Sequence, residues 1–63
     1  MCESKVITIK DGTEVIIMED VIRVEVKNDK IKFYDLLGES KEIKGRIIFM
    51  DLIEHKIVVE EIE

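Results

Sequence analysis

The sequence predicts an all-β fold, a six-stranded antiparallel meander curled into a small barrel. Isoleucine, valine and threonine make up about a third of the 63 residues, and the chain has no proline; β-branched residues of this kind favour strands. Apolar and charged residues alternate without error from Ile22 to Lys27, as expected for a strand with one buried face. Short turn signals between the apolar runs complete the pattern of a meander.

Short polar turns separate the first three predicted strands. Residues 5–10 form the first strand, and Asp11-Gly12 follows as a two-residue turn of the type that tolerates positive φ. Residues 13–18 are expected to pair back on the first strand. The acidic pair Glu19-Asp20 then separates this second strand from a third at residues 21–27.

The remaining three strands follow in the same manner. Asn28-Asp29 marks a tight turn before the fourth strand, residues 30–35, and a loop at residues 36–39 leads to the fifth, residues 40–50. Gly45 lies inside this long strand and predicts a bulge or bend that lets the sheet curl. Residues 51–55 connect to the last strand, residues 57–60. Closure into an SH3-like barrel, one domain over residues 1–63, removes the sheet edges that promote aggregation.

Alternation divides the apolar side chains between two faces. It leaves more apolar surface outside than a monomer of this size should expose, so we expect a homodimer. The side chains expected outside are Val6, Ile16, Met18, Ile48, Met50 and Val58. Those expected inside are Ile7, Ile9, Val15, Ile17, Ile22, Val24, Val26, Ile31, Phe33, Ile43, Ile47, Phe49, Ile57 and Val59.

Charge and hydropathy limit the partners. Ten basic residues against fifteen acidic ones give a net charge of -5, which disfavours RNA because phosphate neutralisation carries most of the affinity for nucleic acids. A local basic stripe of Lys30, Lys32, Lys44 and Arg46 is the one candidate surface for such a partner.

No apolar run approaches the roughly 20 residues of a membrane helix, and the first such run, residues 6–9, is too short for a signal-peptide core. We therefore expect a cytoplasmic protein with no membrane partner.

The lone cysteine is the residue best suited to carry chemistry. Cys2 places its thiol beside the α-amine and two backbone amides. If Met1 is retained, its amine, the Cys2 amide nitrogen and the Cys2 thiolate form two fused five-membered chelate rings. If Met1 is removed, the Cys2 amine and thiolate form them with the Glu3 amide nitrogen. Nickel(II) and copper(II) favour such planar nitrogen and sulfur donors, whereas zinc prefers a closed tetrahedron and calcium prefers oxygen.

Several short segments along the whole chain resemble the CooT family of small nickel-binding proteins. They are Met1-Cys2-Glu3, Lys10-Asp11-Gly12, residues 18–21, Leu37-Gly38-Glu39 and residues 50–59. The resemblance implies a small β-barrel, a homodimer and a cysteine directly after the initiator methionine that binds Ni(II). It also implies an alternative, since the same family has been labelled as predicted RNA-binding.

Two hypotheses follow from the residues and the resemblance together. The first is a Ni(II)-binding metallochaperone, store or sensor that serves the maturation of a nickel enzyme and uses Cys2, with Met1 or Glu3, as ligands. A two-fold axis that brings two amino termini together would supply a second thiolate. The alternative is a small-barrel module that binds RNA or protein. His55, the single histidine, is either an axial ligand or a polar turn residue, and no nucleophile and base pair indicates an enzyme.

Overall fold

The computed structural model describes residues 3–62, in which five strands close into a barrel in the order of the sequence. The four successive pairs are antiparallel, and parallel pairing of the first and last strands closes the ring. The predicted all-β class is confirmed, with five strands instead of six and a parallel closure that a pure meander lacks. The described residues include no helix long and apolar enough to cross a membrane. The strands are β1 (Ser4–Lys10), β2 (Thr13–Lys27), β3 (Lys30–Asp35), β4 (Ser40–Asp51) and β5 (Lys56–Glu61).

The second and third predicted strands form one continuous, sharply bent strand, β2. The acidic pair expected to separate them lies within it, and Asp20 there adopts a left-handed backbone with φ 58°. The pairing register of β2 shifts on both sides of this point, against β1 before Val21 and against β3 after it. The first half of β2 therefore pairs with β1 and the second half with β3. The bend between them requires a left-handed residue, and Asp tolerates that conformation better than most side chains.

The long strand β4 also serves two neighbours, with Gly45 at the change of partner. Residues up to Lys44 pair with β3, and residues from Gly45 onward pair with β5. The register shift in β4 lies between Ile47 and Phe49, two residues beyond the glycine at which the sequence predicts it. The Gly45 amide donates a 2.7 Å hydrogen bond to the carbonyl of Asp29, which ties β4 to the β2–β3 turn.

The core lies inside the barrel around the fully buried ring of Phe33. Its buried members are Val6, Val21, Ile31, Phe33, Ile43, Ile57 and Val59, and the partly buried Ile17, Met18, Val24 and Ile47 pack against them. The predicted interior is thus correct for most of β3, β4 and β5. It is wrong for Ile9, Val15, Ile22, Val26 and Phe49, which are 40% exposed or more, and Val6, predicted outside, is fully buried.

Strands β1 and β5 depart from simple alternation because both of their faces are covered. Three consecutive residues are buried in each strand, residues 6–8 and residues 57–59. Ile7 lies opposite Val58 in the parallel ladder, and both are buried although neither belongs to the core cluster. Parallel strands covered on both sides give continuous apolar runs, so the predicted exposure of Val58 is wrong.

A second apolar surface surrounds this pair on the outside of the barrel. The ladder runs from Ile16 through Ile7 and Val58 to Phe49. Ile9 and Ile48 line a depression of about 310 Å³ beside it. We call the group of Ile7, Ile9, Ile16, Ile48, Phe49 and Val58 the outer apolar face. Its four outer members, Ile9, Ile16, Ile48 and Phe49, are each about half exposed.

Candidate metal centre

The amino terminus enters the barrel at the start of β1. Glu3, the first described residue, is half-buried, and Ser4 pairs with Val21 of β2. Met1 and Cys2 lie outside the described residues, so their predicted role as ligands remains a prediction. The structure does describe the surroundings of Glu3 and Ser4.

Three separate parts of the chain meet beside Glu3. The Lys5 amide donates a 3.0 Å hydrogen bond to the carbonyl of His55, at the end of the β4–β5 turn. A depression of about 300 Å³ is formed there, which we call the N-terminal corner. It is lined by Glu3, Ser4, Lys5, Glu19, Asp20, Glu54 and His55.

Two left-handed residues shape the N-terminal corner. Asp20 and His55 have φ of 58° and 56°, a conformation in which Asp and His occur more often than most side chains. The turn before His55 is held by Asp51, whose Oδ1 accepts hydrogen bonds from the amides of Ile53 at 3.1 Å and Glu54 at 3.0 Å. His55 is thus the residue that reverses the chain into β5.

The N-terminal corner carries excess negative charge. Glu3, Glu19, Asp20 and Glu54 line it together with a single cation, Lys5. Within residues 3–62, no three His, Cys, Asp or Glu side chains converge in a way that could hold a metal ion. The described part of the corner therefore supplies a field that attracts cations.

The structure brings together residues that sequence reasoning treated separately. The sequence identifies Glu19-Asp20 as an acidic turn and His55 as a distant single histidine, and both lie at the N-terminal corner with Glu3. The parallel pairing of β1 with β5, which starts with Lys5 opposite Lys56, is what places His55 there. Alternation patterns carry no information on which non-neighbouring strands pair, so the sequence held no signal for this contact.

The fold and this corner define a small all-β barrel protein with an acidic surface at its amino terminus. The chain belongs to the CooT family, since the family of CO dehydrogenase accessory protein CooT matches residues 1–60. This confirms the resemblance seen in the sequence. An accessory protein assists an enzyme and is not itself the catalyst, which agrees with the expectation that the chain is not an enzyme.

Relatives and a solved structure agree with this assignment. An uncharacterized protein of Archaeoglobus fulgidus is 49% identical over 43 residues, which are 68% of this chain and 96% of the relative. An uncharacterized protein of Methanothermobacter thermautotrophicus is 40% identical over 60 residues, which are 95% of this chain and 89% of the relative. A crystal structure assigned to CooT from Carboxydothermus hydrogenoformans superposes with a TM-score of 0.89, covering 98% of this chain and all of that one. At 22% identity, this likeness supports the fold alone.

Proposed function

We propose that this protein binds Ni(II) through its amino terminus and acts as a metallochaperone, store or sensor in the maturation of a nickel enzyme. The observation that carries the proposal is the family match, which places the chain among CO dehydrogenase accessory proteins and includes Cys2. Cys2 is the single thiol of the chain. Its thiolate, an amine and a backbone amide nitrogen from Met1 to Glu3 make the planar donor set that Ni(II) favours.

The charge of the N-terminal corner supports this role. Carboxylates of Glu3, Glu19, Asp20 and Glu54 line the depression into which the amino terminus leads. Clustered charges of one sign raise the local concentration of counter-ions. The corner therefore concentrates divalent cations around the chelating terminus without itself supplying a complete ligand set, so that the bound metal stays accessible for transfer.

The outer apolar face supports a homodimer. Strand β1 carries both this face, through Ile7 and Ile9, and the amino terminus at its start. Ser4 lies about 10 Å along the strand from Ile7. Two copies joined through the outer apolar face therefore bring their β1 strands together, and a two-fold axis near the strand starts lets both Cys2 thiolates bind one Ni(II).

Isothermal titration with Ni(II) and with Cu(II) tests the proposal on the wild type and two variants. Cys2→Ser should lose Ni(II) binding and the thiolate-to-nickel charge-transfer absorption while it keeps the strand-rich circular dichroism spectrum. His55→Gln serves as the matched control because it removes the only imidazole of the chain, and it should still bind the metal. A wild-type protein with no such absorption near neutral pH, or a Cys2→Ser variant with unchanged affinity, would contradict the proposal.

The stoichiometry of the same titration tests the shared site. One Ni(II) for two chains is expected if two thiolates share a metal. One Ni(II) for each chain, independent of the dimer content measured by light scattering, would contradict a shared site and leave each terminus with its own metal.

A further inference from the structure

Three lysines form one row across neighbouring strands on the outside of the barrel. The register places Lys27 of β2 opposite Lys30 of β3, and Lys30 opposite Lys44 of β4. All three are exposed, and side chains directly opposite each other on adjacent strands lie about 5 Å apart at Cβ, where like charges destabilise the sheet. Lys44 forms a salt bridge with Asp29, whose Oδ2 lies 3.7 Å from the Lys44 Nζ. No salt bridge to Lys27 or Lys30 is formed within residues 3–62.

The row is part of a larger basic surface. On the same side, Lys32 lies between Glu25 and Glu42, and Tyr34 lies between Arg23 and Ser40. Four carboxylates, those of Glu25, Asp29, Glu42 and Glu60, interrupt the surface, and Glu60 forms a 2.8 Å salt bridge with Arg46. Cations therefore exceed anions there by two, while the whole chain carries a net charge of -5. We call this surface the basic face, formed by Arg23, Lys27, Lys30, Lys32, Lys44 and Arg46.

We propose that the basic face is a docking surface for a partner protein that presents an acidic segment. The repulsion among the three lysines falls when carboxylates of a partner insert among the ammonium groups. This loss of repulsion on binding favours the complex over the free protein. The row spans about 10 Å across three strands, which is enough for two or three carboxylates of an extended acidic peptide.

The chemistry of the surface favours carboxylates over nucleic acid. Single-stranded nucleic acids need aromatic side chains on which bases stack. Tyr34, the aromatic residue of this surface, is already engaged: its hydroxyl donates a 2.9 Å hydrogen bond to Glu25 Oε1. Arg23 and Lys32 lie 5.8 and 5.3 Å from its ring centroid. The interspersed carboxylates also oppose a continuous phosphate backbone.

The lysine row of the basic face lies at the far end of the β2–β3 hairpin from the N-terminal corner. Lys27 and Lys30 flank one end of the β2–β3 hairpin, whereas Val21 and Asp35, beside Asp20, form its other end. A partner on the basic face therefore leaves the amino terminus free, and the inference holds whether or not the terminus binds a metal.

A titration of isotope-labelled full-length protein with a decaglutamate peptide, followed by amide NMR shifts at low salt, tests the inference. Shifts should be confined to residues 23–34 and 42–46, and Lys27→Gln/Lys30→Gln should bind the peptide about fivefold more weakly. The control Lys5→Gln/Lys10→Gln has the same net charge and should bind as the wild type. Equal losses in both variants, shifts spread over the whole barrel, or tighter binding of an oligouridylate RNA in a parallel titration would each overturn the inference.

Discussion

Gly45 of β4 lies so close to Glu60 of β5 that no side chain fits between the two strands. A Cβ at this position would overlap the Glu60 carbonyl oxygen and lie 3.0 Å from both the Glu60 carbonyl carbon and the Glu61 α-carbon. All three are backbone atoms, which cannot move aside as a flexible side chain can. The close approach occurs where β4 changes its partner from β3 to β5, so it fixes the geometry of the closed barrel.

Gly45→Ala should therefore destabilise the protein strongly. Forcing backbone apart in a packed region costs about 1–3 kcal/mol, and we expect a loss at the upper end of that range in urea unfolding. Gly38→Ala is a suitable control, since a Cβ there meets nothing within 4 Å and only its left-handed φ of 87° is unfavourable. A Gly45→Ala variant no less stable than Gly38→Ala would contradict the close approach.

Asp35 should contribute to stability through a single oxygen atom. Its Oδ1 accepts hydrogen bonds from the amides of Leu37 at 2.9 Å and Glu39 at 2.8 Å, which hold the β3–β4 turn. Asp35→Ala leaves both amides without this acceptor and should cost about 1–2 kcal/mol. Asp35→Asn keeps an Oδ1 acceptor and should lose much less. Equal losses in thermal or urea unfolding would show that the charge, and not the acceptor, matters.

Tyr34 should control the titration of Glu25. The hydrogen bond from the Tyr34 hydroxyl and the one from Arg23 Nη2, at 2.9 and 2.7 Å, hold the pKa of Glu25 below its ordinary value. This favours the folded state above the ordinary carboxyl pKa, and the contribution disappears as the pH falls through the lowered value. Tyr34→Phe should raise the pKa of Glu25 in a carboxyl NMR titration. An unchanged titration would rule out the hydroxyl as the main cause.

The outer apolar face should control the oligomeric state. Ile48→Lys places a charge on this face and should convert the proposed dimer to a species of 7.4 kDa, the mass of one chain, in light scattering. Ile53→Lys is the matched control, because Ile53 is 89% exposed on the β4–β5 turn, outside this face. Dissociation by both variants to the same extent, or by neither, would place the contact elsewhere.

The sequence predicts local structure well and long-range pairing poorly. Strand β3 has the predicted bounds, residues 30–35, because turn residues mark both of its ends. At Glu19-Asp20 the sequence predicts a turn between two strands, whereas the structure has a bend within the single strand β2. An acidic pair in an apolar run gives the same sequence signal in a turn and in a bulged strand. The sides predicted for Val6 and Ile7 are wrong, because bulges in β1 shift its register and place Val6 in the core and Ile7 on the outer apolar face. Val58 lies outside as predicted, but it is buried because β5 is covered on both faces.

The candidate site shows the same division. Cys2 is selected from its position and chemistry, and its role as a metal ligand stays a prediction, since the family match supports the accessory class alone. The position of Glu54 and His55 beside Glu3 could not be predicted from the sequence, because it depends on the pairing of the first and last strands of the barrel.

The parallel pairing of β1 with β5 makes the whole chain a single folding unit. Lys5 has no strand partner on its β5 side until Lys56 has been synthesised, and long-range pairings of this kind form slowly because loop closure must precede them. A nascent chain on the ribosome cannot complete the barrel until its last strand emerges. The surroundings of residues 3–5 are therefore complete only after β5 has joined the barrel, although the residues of β1 are synthesised before those of every other strand.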